Sequence, residues 1–243
     1  MNRRRTTQSS DHGITNRLLA ALPDDDYERL LPDMKIVPLT VKQVLHQRER
    51  PIRHVYFPNG GVCSFTTVMQ NGTRVEVATV GKEGMVGIRT FLGGNHPLSE
   101  TFVQSASPKS TAVQLPTELF RQELARHAAL EQLMQRYSQA FLSSLMQCIA
   151  CNALHTIYQR CSRWLLMVHD RMDGDDFVLT QQFMAIMLGT RRPTVNGVAT
   201  RLQRMGLIRY THGRIQVLDR KGLESASCEC YGSIQREFDR LKL

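Results

Sequence analysis

The chain has no apolar run that reaches the about eighteen residues needed to span a bilayer, and its opening, "MNRRRTTQSSDHG", has no apolar core behind its basic residues. Neither a membrane segment nor a secretory leader is expected, which points to the cytosol and to no membrane partner. Cysteine is sparse: Cys63, Cys148, Cys151, Cys161, Cys228 and Cys230 are scattered over 243 residues. A disulfide frame belongs to short secreted chains, so free thiols are expected. Catalytic signatures are missing too. There is no nucleophile motif, no phosphate-cradling glycine loop and no metal triad, and His46 and His54 lack neighbours at metal-ligand spacing, so no enzyme, cofactor or metal centre is expected. Two local absences are more informative. Residues 128–155 contain neither proline nor glycine, and residues 177–218 contain neither aspartate nor glutamate.

What is present divides the chain. The hydrophobic fraction of 42% can fill one large core or two modest ones. Residues 1–13 read as a basic, flexible arm. Over Ile14–Leu31 apolar residues recur at helical spacing around Pro23, which predicts two short helices. From Lys35 to about Leu115 the period shortens to two, as in "VCSFTTVM" and "TRVEVATV", and turns at Asn59-Gly60-Gly61 and Asn71-Gly72 punctuate it. Short strands joined by tight turns predict a small β-roll or barrel, so residues 14–127 are assigned to one β-rich domain.

The stretch without helix breakers predicts one long helix over 128–157. Met134, Tyr137, Phe141, Ser144, Cys148, Cys151 and His155 follow one another in steps of three and four, as along a coiled-coil seam, and Leu142, Leu145, Ile149 and Asn152 run beside them. A helix with two such stripes can bury one on its own domain and the other on a second copy, which predicts a homodimer; complete burial inside a monomer is the alternative. Residues 158–243 continue with a helix, a polar break at "DGDD", a short helix from Thr180 to Leu188, a turn at Gly189, a second helix to about Met205, and a hairpin around His212-Gly213. Helix, turn, helix and hairpin make a winged helix, followed by an amphipathic tail carrying Ile234, Phe238 and Leu241. The expected fold class is therefore α+β: β-roll, long dimer helix, winged helix-turn-helix.

The formal charge of +9 suits an anionic partner, although a positive surface alone would equally suit a membrane or mere solubility. Its distribution decides. Arg191, Arg192, Arg201, Arg204, Arg209 and Arg214 fall inside the acid-free stretch, whereas a surface kept soluble mixes signs. Helical pitch puts Val195, Val198, Ala199 and Leu202 on an inner face and Pro193, Asn196, Gly197, Thr200 and Arg204 outside, with Arg192 leading. Arginine can bond guanine bidentately and asparagine adenine, so Arg192 and Asn196 are the expected base readers. Thr180, Gln181, Thr194 and Thr200, with His212 and Arg214 on the wing, are expected at phosphates, and Arg191 and Arg204 are expected to contact the DNA as well.

The segment "FVLTQQFMAIMLGTRRPTVNGVATRLQRMGLIRYTHGRIQVLD" resembles the winged helix of the Crp/Fnr transcription regulators, with "GTRRPTV" at that family's glycine-x-serine-arginine-x-threonine-valine turn. "HVYFPNGGVCSF" and "VATVGKEGMVGI" resemble strands of its sensor. The resemblance implies a cyclic-nucleotide-binding-like roll, dimerisation on the long helix, and recognition of a roughly palindromic duplex. RNA polymerase is a further partner for such a regulator. Pro193 stands where the family commonly has a base-reading acid, and Gly197 where it has a second arginine, so the site read is expected to differ. Nucleotide-binding members carry a glycine-glutamate-leucine run and an arginine-serine pair. Here Gly87-Ile88-Arg89 and Ser99-Glu100 fall at those places, which implies that cyclic AMP is disfavoured and that any effector is a different small molecule. Iron-sulfur sensing is the other family precedent, but Cys148 and Cys151 sit one turn apart on the expected dimer seam, where packing is the expectation for them as for Cys228 and Cys230; four sulfurs meeting across a dimer axis, and so a metal or redox role, is the alternative. Two other readings stay open: a constitutive DNA binder with a purely structural roll, and a β-roll enzyme or small-molecule binder carrying a basic module.

Overall fold

A computed structural model describes residues 13–241; the basic arm, Gly13 apart, lies outside the described residues. Helix α1 (Arg17–Ala20) begins at Asn16, whose side-chain oxygen accepts the amides of Leu18 and Leu19. The same side chain donates to the carbonyls of Pro58 and Gly84, each at 2.9 Å, and so pins the helix to the strands that follow. Pro23 starts α2 (Asp24–Leu30), where a missing amide costs nothing.

Seven strands build the roll: β1 (Lys35–Pro38), β2 (Val44–His46), β3 (His54–Pro58), β4 (Val62–Val68), β5 (Arg74–Val80), β6 (Glu100–Ser105) and β7 (Thr111–Pro116). They form two antiparallel sheets, β1-β7-β3 and β2-β6-β4-β5. Leu39, Cys63, Val86, Val103 and Ala112 fill the space between them, while Val55, Phe57, Val113 and Leu115 pack with the helices. Two helices then leave the roll, α3 (Thr117–Arg126) and the 27-residue α4 (Ala128–Leu154).

The two stripes of α4 take different partners. Met134 and Tyr137 are buried in the protomer's own core, with Phe141 and Cys148 packed against it. The Tyr137 ring sits so close to Gly84 that a Cβ there would lie 2.4 Å from its hydroxyl, so only glycine fits. The stripe expected to be the dimer seam is thus the internal one, and Cys148 and Cys151 face their own chain. The neighbouring stripe is bare at Leu142, Ile149 and Asn152 but not at Leu145, which is half-buried; with Met146 alongside, Leu142, Met146 and Ile149 are 58%, 63% and 70% exposed. Both stripes obey the same periodicity, and only the position of the roll distinguishes them.

Thr156 closes a capping box with Gln159 and starts α5 (Ile157–His169). There follow β8 (Asp176–Val178), α6 (Gln181–Met187), α7 (Arg192–Arg204), β9 (Ile208–Thr211) and β10 (Arg214–Val217), then α8 (Arg220–Ala226) and α9 (Cys230–Asp239). The wing is a three-stranded sheet in the order β8-β10-β9, one strand more than the hairpin read from the sequence. Three residues of β8 beside polar "DGDD" carry too little alternation to announce a strand. The tail, grouped by sequence with 158–243, runs back: Ile234, Phe238 and Leu241 are buried with Tyr137 in the core of the roll.

Winged helix and roll are packed together. Phe183 on α6 meets Phe102 edge-on at 5.8 Å between centroids. Two polar contacts, one half-buried and one buried, join the same halves. Trp164 Nε1 donates to Glu76 Oε1 at 2.6 Å, and Arg171 pairs with Glu83 at 2.7 Å.

Candidate functional site

Gly189, at φ +59°, makes the turn between α6 and α7 in a conformation that a side chain would strain. Arg191 is extended and gives α7 no side-chain cap. Pro193 lacks an amide, so the backbone donors left over in the first turn are those of Arg192 and Thr194, at the positive end of the helix dipole. Val195, Val198, Ala199 and Leu202 are buried, as the helical pitch requires. Arg191, Arg192, Thr194, Asn196 and Arg204 are exposed and Thr200 half-buried, so one continuous outward face results.

The arginines of this region are not equivalent. Arg191, Arg192 and Arg204 make no ion pair or side-chain hydrogen bond among the described residues and stand toward solvent. Arg201 instead lies over the ring of Tyr158, 4.3 Å from its centroid. Arg209 donates to Gln216 Oε1 at 3.0 Å, and Arg214 pairs with Asp176 at 2.5 Å. Asp176 is the first residue before the acid-free stretch, and strand pairing brings it to the wing. An Arg214 contact with phosphate therefore competes with this ion pair. Polar side chains are also engaged. Gln181 Nε2 donates to Asn196 Oδ1 at 2.9 Å, which orients the asparagine and occupies one of its acceptor sites. Thr180 accepts the amide of Phe183 as the α6 cap. The amide of Gln181 donates to the Tyr210 hydroxyl at 3.0 Å and ties α6 to the wing. His212 and Gly213, at φ +49° and +76°, form the wing tip, the two positive angles a tight hairpin demands.

A cavity of about 210 Å³ opens between the roll and α4. Gly87, Arg89 and Ser99, read from the sequence as candidate ligand residues, line it together with Ile88 and with His46, Phe65, Phe141 and Leu145, which the sequence did not single out for this role. Phe141 and Leu145 are four apart on α4, a spacing already accounted for by packing, so no separate signal marked them. Gly87 has φ +109°, and a Cβ there would come within 2.9 Å of Val55, which explains glycine at this bend. Burial lowers the His46 pKa despite its hydrogen bond to the His54 carbonyl, which disfavours a charged imidazole beside the cavity.

Glu100 is absent from this cavity. Alternation along the strand turns Ser99 and Thr101 inward and Glu100 to the other side, where it meets Arg74 at 2.7 Å. It lines a second cavity of about 400 Å³ beneath α6, with Phe183, Ile186 and Met187. The repulsion of a bound phosphate expected from Glu100 therefore falls away. What still weighs against a cyclic nucleotide is Ile88, which gives a ribose hydroxyl no partner. Burial pushes the Cys63 and Cys161 thiols up to about 12, which leaves both inert.

Residues 37–127 match the family model of the cyclic nucleotide-binding domain, and residues 159–226 that of the Crp-like helix-turn-helix domain. Among solved structures, a Crp/Fnr-family protein of Eubacterium rectale is similar over 86% of this chain and 97% of its own, at 15% identity and a TM-score of 0.65. FixK2 of Bradyrhizobium japonicum matches over 80% and 98%, at 14% identity and a TM-score of 0.66. A CRP/FNR-family transcriptional regulator of Thermus thermophilus matches over 79% and 98%, at 21% identity and a TM-score of 0.59. No curated protein matches the sequence.

Proposed function

As the chain belongs to the Crp/Fnr family of DNA-binding transcription regulators, we propose that it acts in the cytosol as a homodimer, setting one α7 per protomer into successive major grooves of a roughly palindromic site. The observation that carries this reading is the outward face of α7, which presents Arg191, Arg192 and Arg204 with no acid in the surrounding 177–218. Arg192 and Asn196 read base edges. Thr180, Gln181, Arg191, Thr194, Thr200, Arg204, His212 and Arg214 hold the backbone. The exposed Leu142, Met146 and Ile149 on α4 support pairing with a second copy, because a row of large apolar side chains three and four residues apart stands largely uncovered among the described residues. RNA polymerase is the further partner of such a complex.

The roll serves as a sensor for a compact effector other than cyclic AMP, one with an apolar body and a negative group for Arg89. A volume of about 210 Å³ favours something smaller than the ~300–1,000 Å³ of common ligand sites. Position supports coupling. Val77 and Ala78 of β5 line the cavity, and the adjacent Glu76 holds Trp164 of the winged helix. Phe141 and Leu145 of α4 line it too, beside the bare stripe. An occupant that moves β5 or α4 shifts the orientation of the two winged helices and so the spacing they fit. Selection of bound sequences from a random duplex pool tests the DNA reading. A palindromic consensus is expected, and failure to enrich any sequence at moderate salt sinks it. Repeating the selected binding reaction with and without the small-molecule fraction of a cell extract separates a gated regulator from a constitutive one.

A further inference from the structure

Three cysteines and a histidine that lie far apart in the chain converge where α4 ends. Cys151 is in the last turn of α4 and His155 caps it; Cys228 and Cys230 lie in the link from α8 to the start of α9. Their Sγ atoms and one imidazole nitrogen all lie within 4.8 Å of one another. Cys151 Sγ is 3.5 Å from Cys228 Sγ, and Cys230 Sγ is 3.6 Å from His155 Nδ1. The three cysteines are buried and the histidine half-buried. We propose that this cluster binds one zinc ion in a tetrahedral Cys3His site that staples the carboxyl end of the dimer helix to the tail.

The spacing selects a single ion. With Zn–S near 2.3 Å and Zn–N near 2.0–2.1 Å, tetrahedral geometry sets the donors roughly 3.5–3.8 Å apart; the Cys151–Cys228 and Cys230–His155 separations of 3.5 and 3.6 Å fall in that range, and the other donor pairs lie within 4.8 Å. An iron-sulfur cluster spreads its ligands over several iron atoms and needs a wider cage. Thiolate and imidazole donors suit zinc, whereas oxygen donors would suit calcium or magnesium. The surroundings have the form of a ligand shell's support. His155 presents Nδ1 to the cluster and Nε2 to Glu229 at 3.2 Å, the carboxylate contact that orients a metal-bound imidazole. Gln147 Nε2 donates to Cys230 Sγ at 3.1 Å. Arg163, which donates to the nearby Cys148 Sγ, supplies positive charge beside the net negative charge of one Zn²⁺ and three thiolates. Plain packing explains buried cysteines; it does not explain a histidine with its second nitrogen on a carboxylate at the same point. Thr156 begins α5 directly after His155, so the ion sits at the joint between the dimer helix and the winged helix.

The test uses the full chain without an affinity tag, purified under reducing conditions. Elemental analysis is expected to give about one zinc per protomer after dialysis against metal-free buffer. Cobalt(II) added to stripped protein should give the ligand-field bands of a tetrahedral site and thiolate charge transfer. Cys228→Ser and Cys230→Ser should lose the metal, while Cys63→Ser and Cys148→Ser keep it. Wild-type protein that contains no zinc and takes up no cobalt overturns the proposal, as does a coloured iron-sulfur chromophore or zinc retained by the Cys228→Ser, Cys230→Ser double variant. The cobalt spectrum needs no variant and so decides even if the substitutions prevent folding.

Discussion

The indole of Trp164 donates to the carboxylate of Glu76 across 2.6 Å, and Ser64 donates to the other oxygen of that carboxylate at the same distance. Roll and winged helix therefore share one carboxyl group. Burial pushes its pKa up to about 7, against the opposing pull of Ser64, Trp164, Arg163 and Arg171.

A pH dependence follows. Above about pH 4.5, the ordinary value, the unfolded chain has released this proton, while the folded protein still holds it. Stability contributed by Glu76 is complete below that pH and is lost as pH rises to about 7, by on the order of 1–3 kcal/mol. Glu76→Gln should flatten the wild-type fall in stability between pH 5 and 7, as read by urea unfolding at a series of pH values. An unchanged slope in the variant would count against this account.

Glu83 moves the other way. Burial pushes its carboxyl up, yet the adjacent Arg171 guanidinium outweighs this and leaves it below the ordinary value. The pair is buried, with Arg171 Nε 2.8 Å from Glu83 Oε1. Removing one member strands the other charge, so Glu83→Ala and Arg171→Met should each cost about 3–5 kcal/mol. Their double variant should cost clearly less than the sum, and simple additivity in denaturant unfolding would show that the two do not act as a pair.

Ile149, 70% exposed on α4, lies in the stripe assigned to the partner protomer. Ile149→Glu puts like charges near each other across a two-fold axis and leaves the protomer core untouched. Sedimentation should report a folded monomer. Affinity for the selected duplex should drop by about 10²–10⁴-fold as one half-site is lost. A variant that stays dimeric moves the interface elsewhere.

On the selected duplex, Arg192→Ala should cost about 1–3 kcal/mol and relax preference at one base pair. Arg204→Ala should instead weaken binding to all sequences alike and lower the slope of log affinity against log salt by about one. Competition binding at several salt concentrations tells them apart. If Arg192→Ala acted uniformly on all sequences, its role would be that of a phosphate contact.

Much of the outward face of α7 was legible before folding, because Val195, Val198, Ala199 and Leu202 mark an inner stripe at one fixed pitch and leave Arg192, Asn196 and Arg204 no other side. The β-roll was legible from alternation and turn residues for the same reason. Glu100 was misplaced because alignment gives a position and not a face; a shift of one residue along a strand reverses the direction of its side chain. The ion pair of Arg214 with Asp176 was not legible, because Asp176 is 38 residues away and arrives only through the pairing of β8 with β10.

Local periodicity, composition and turn chemistry act over a few residues, so the amino-acid order alone determined the strands of the roll, the long helix, the helix-turn-helix and hairpin, and the acid-free cationic stretch 177–218. Which stripe of α4 is internal, which carboxyl joins the two halves, and the meeting of Cys151 and His155 with Cys228 and Cys230 were decided only by tertiary packing. Each depends on side chains separated by tens of residues, and burial brings those together without leaving a mark in the local pattern.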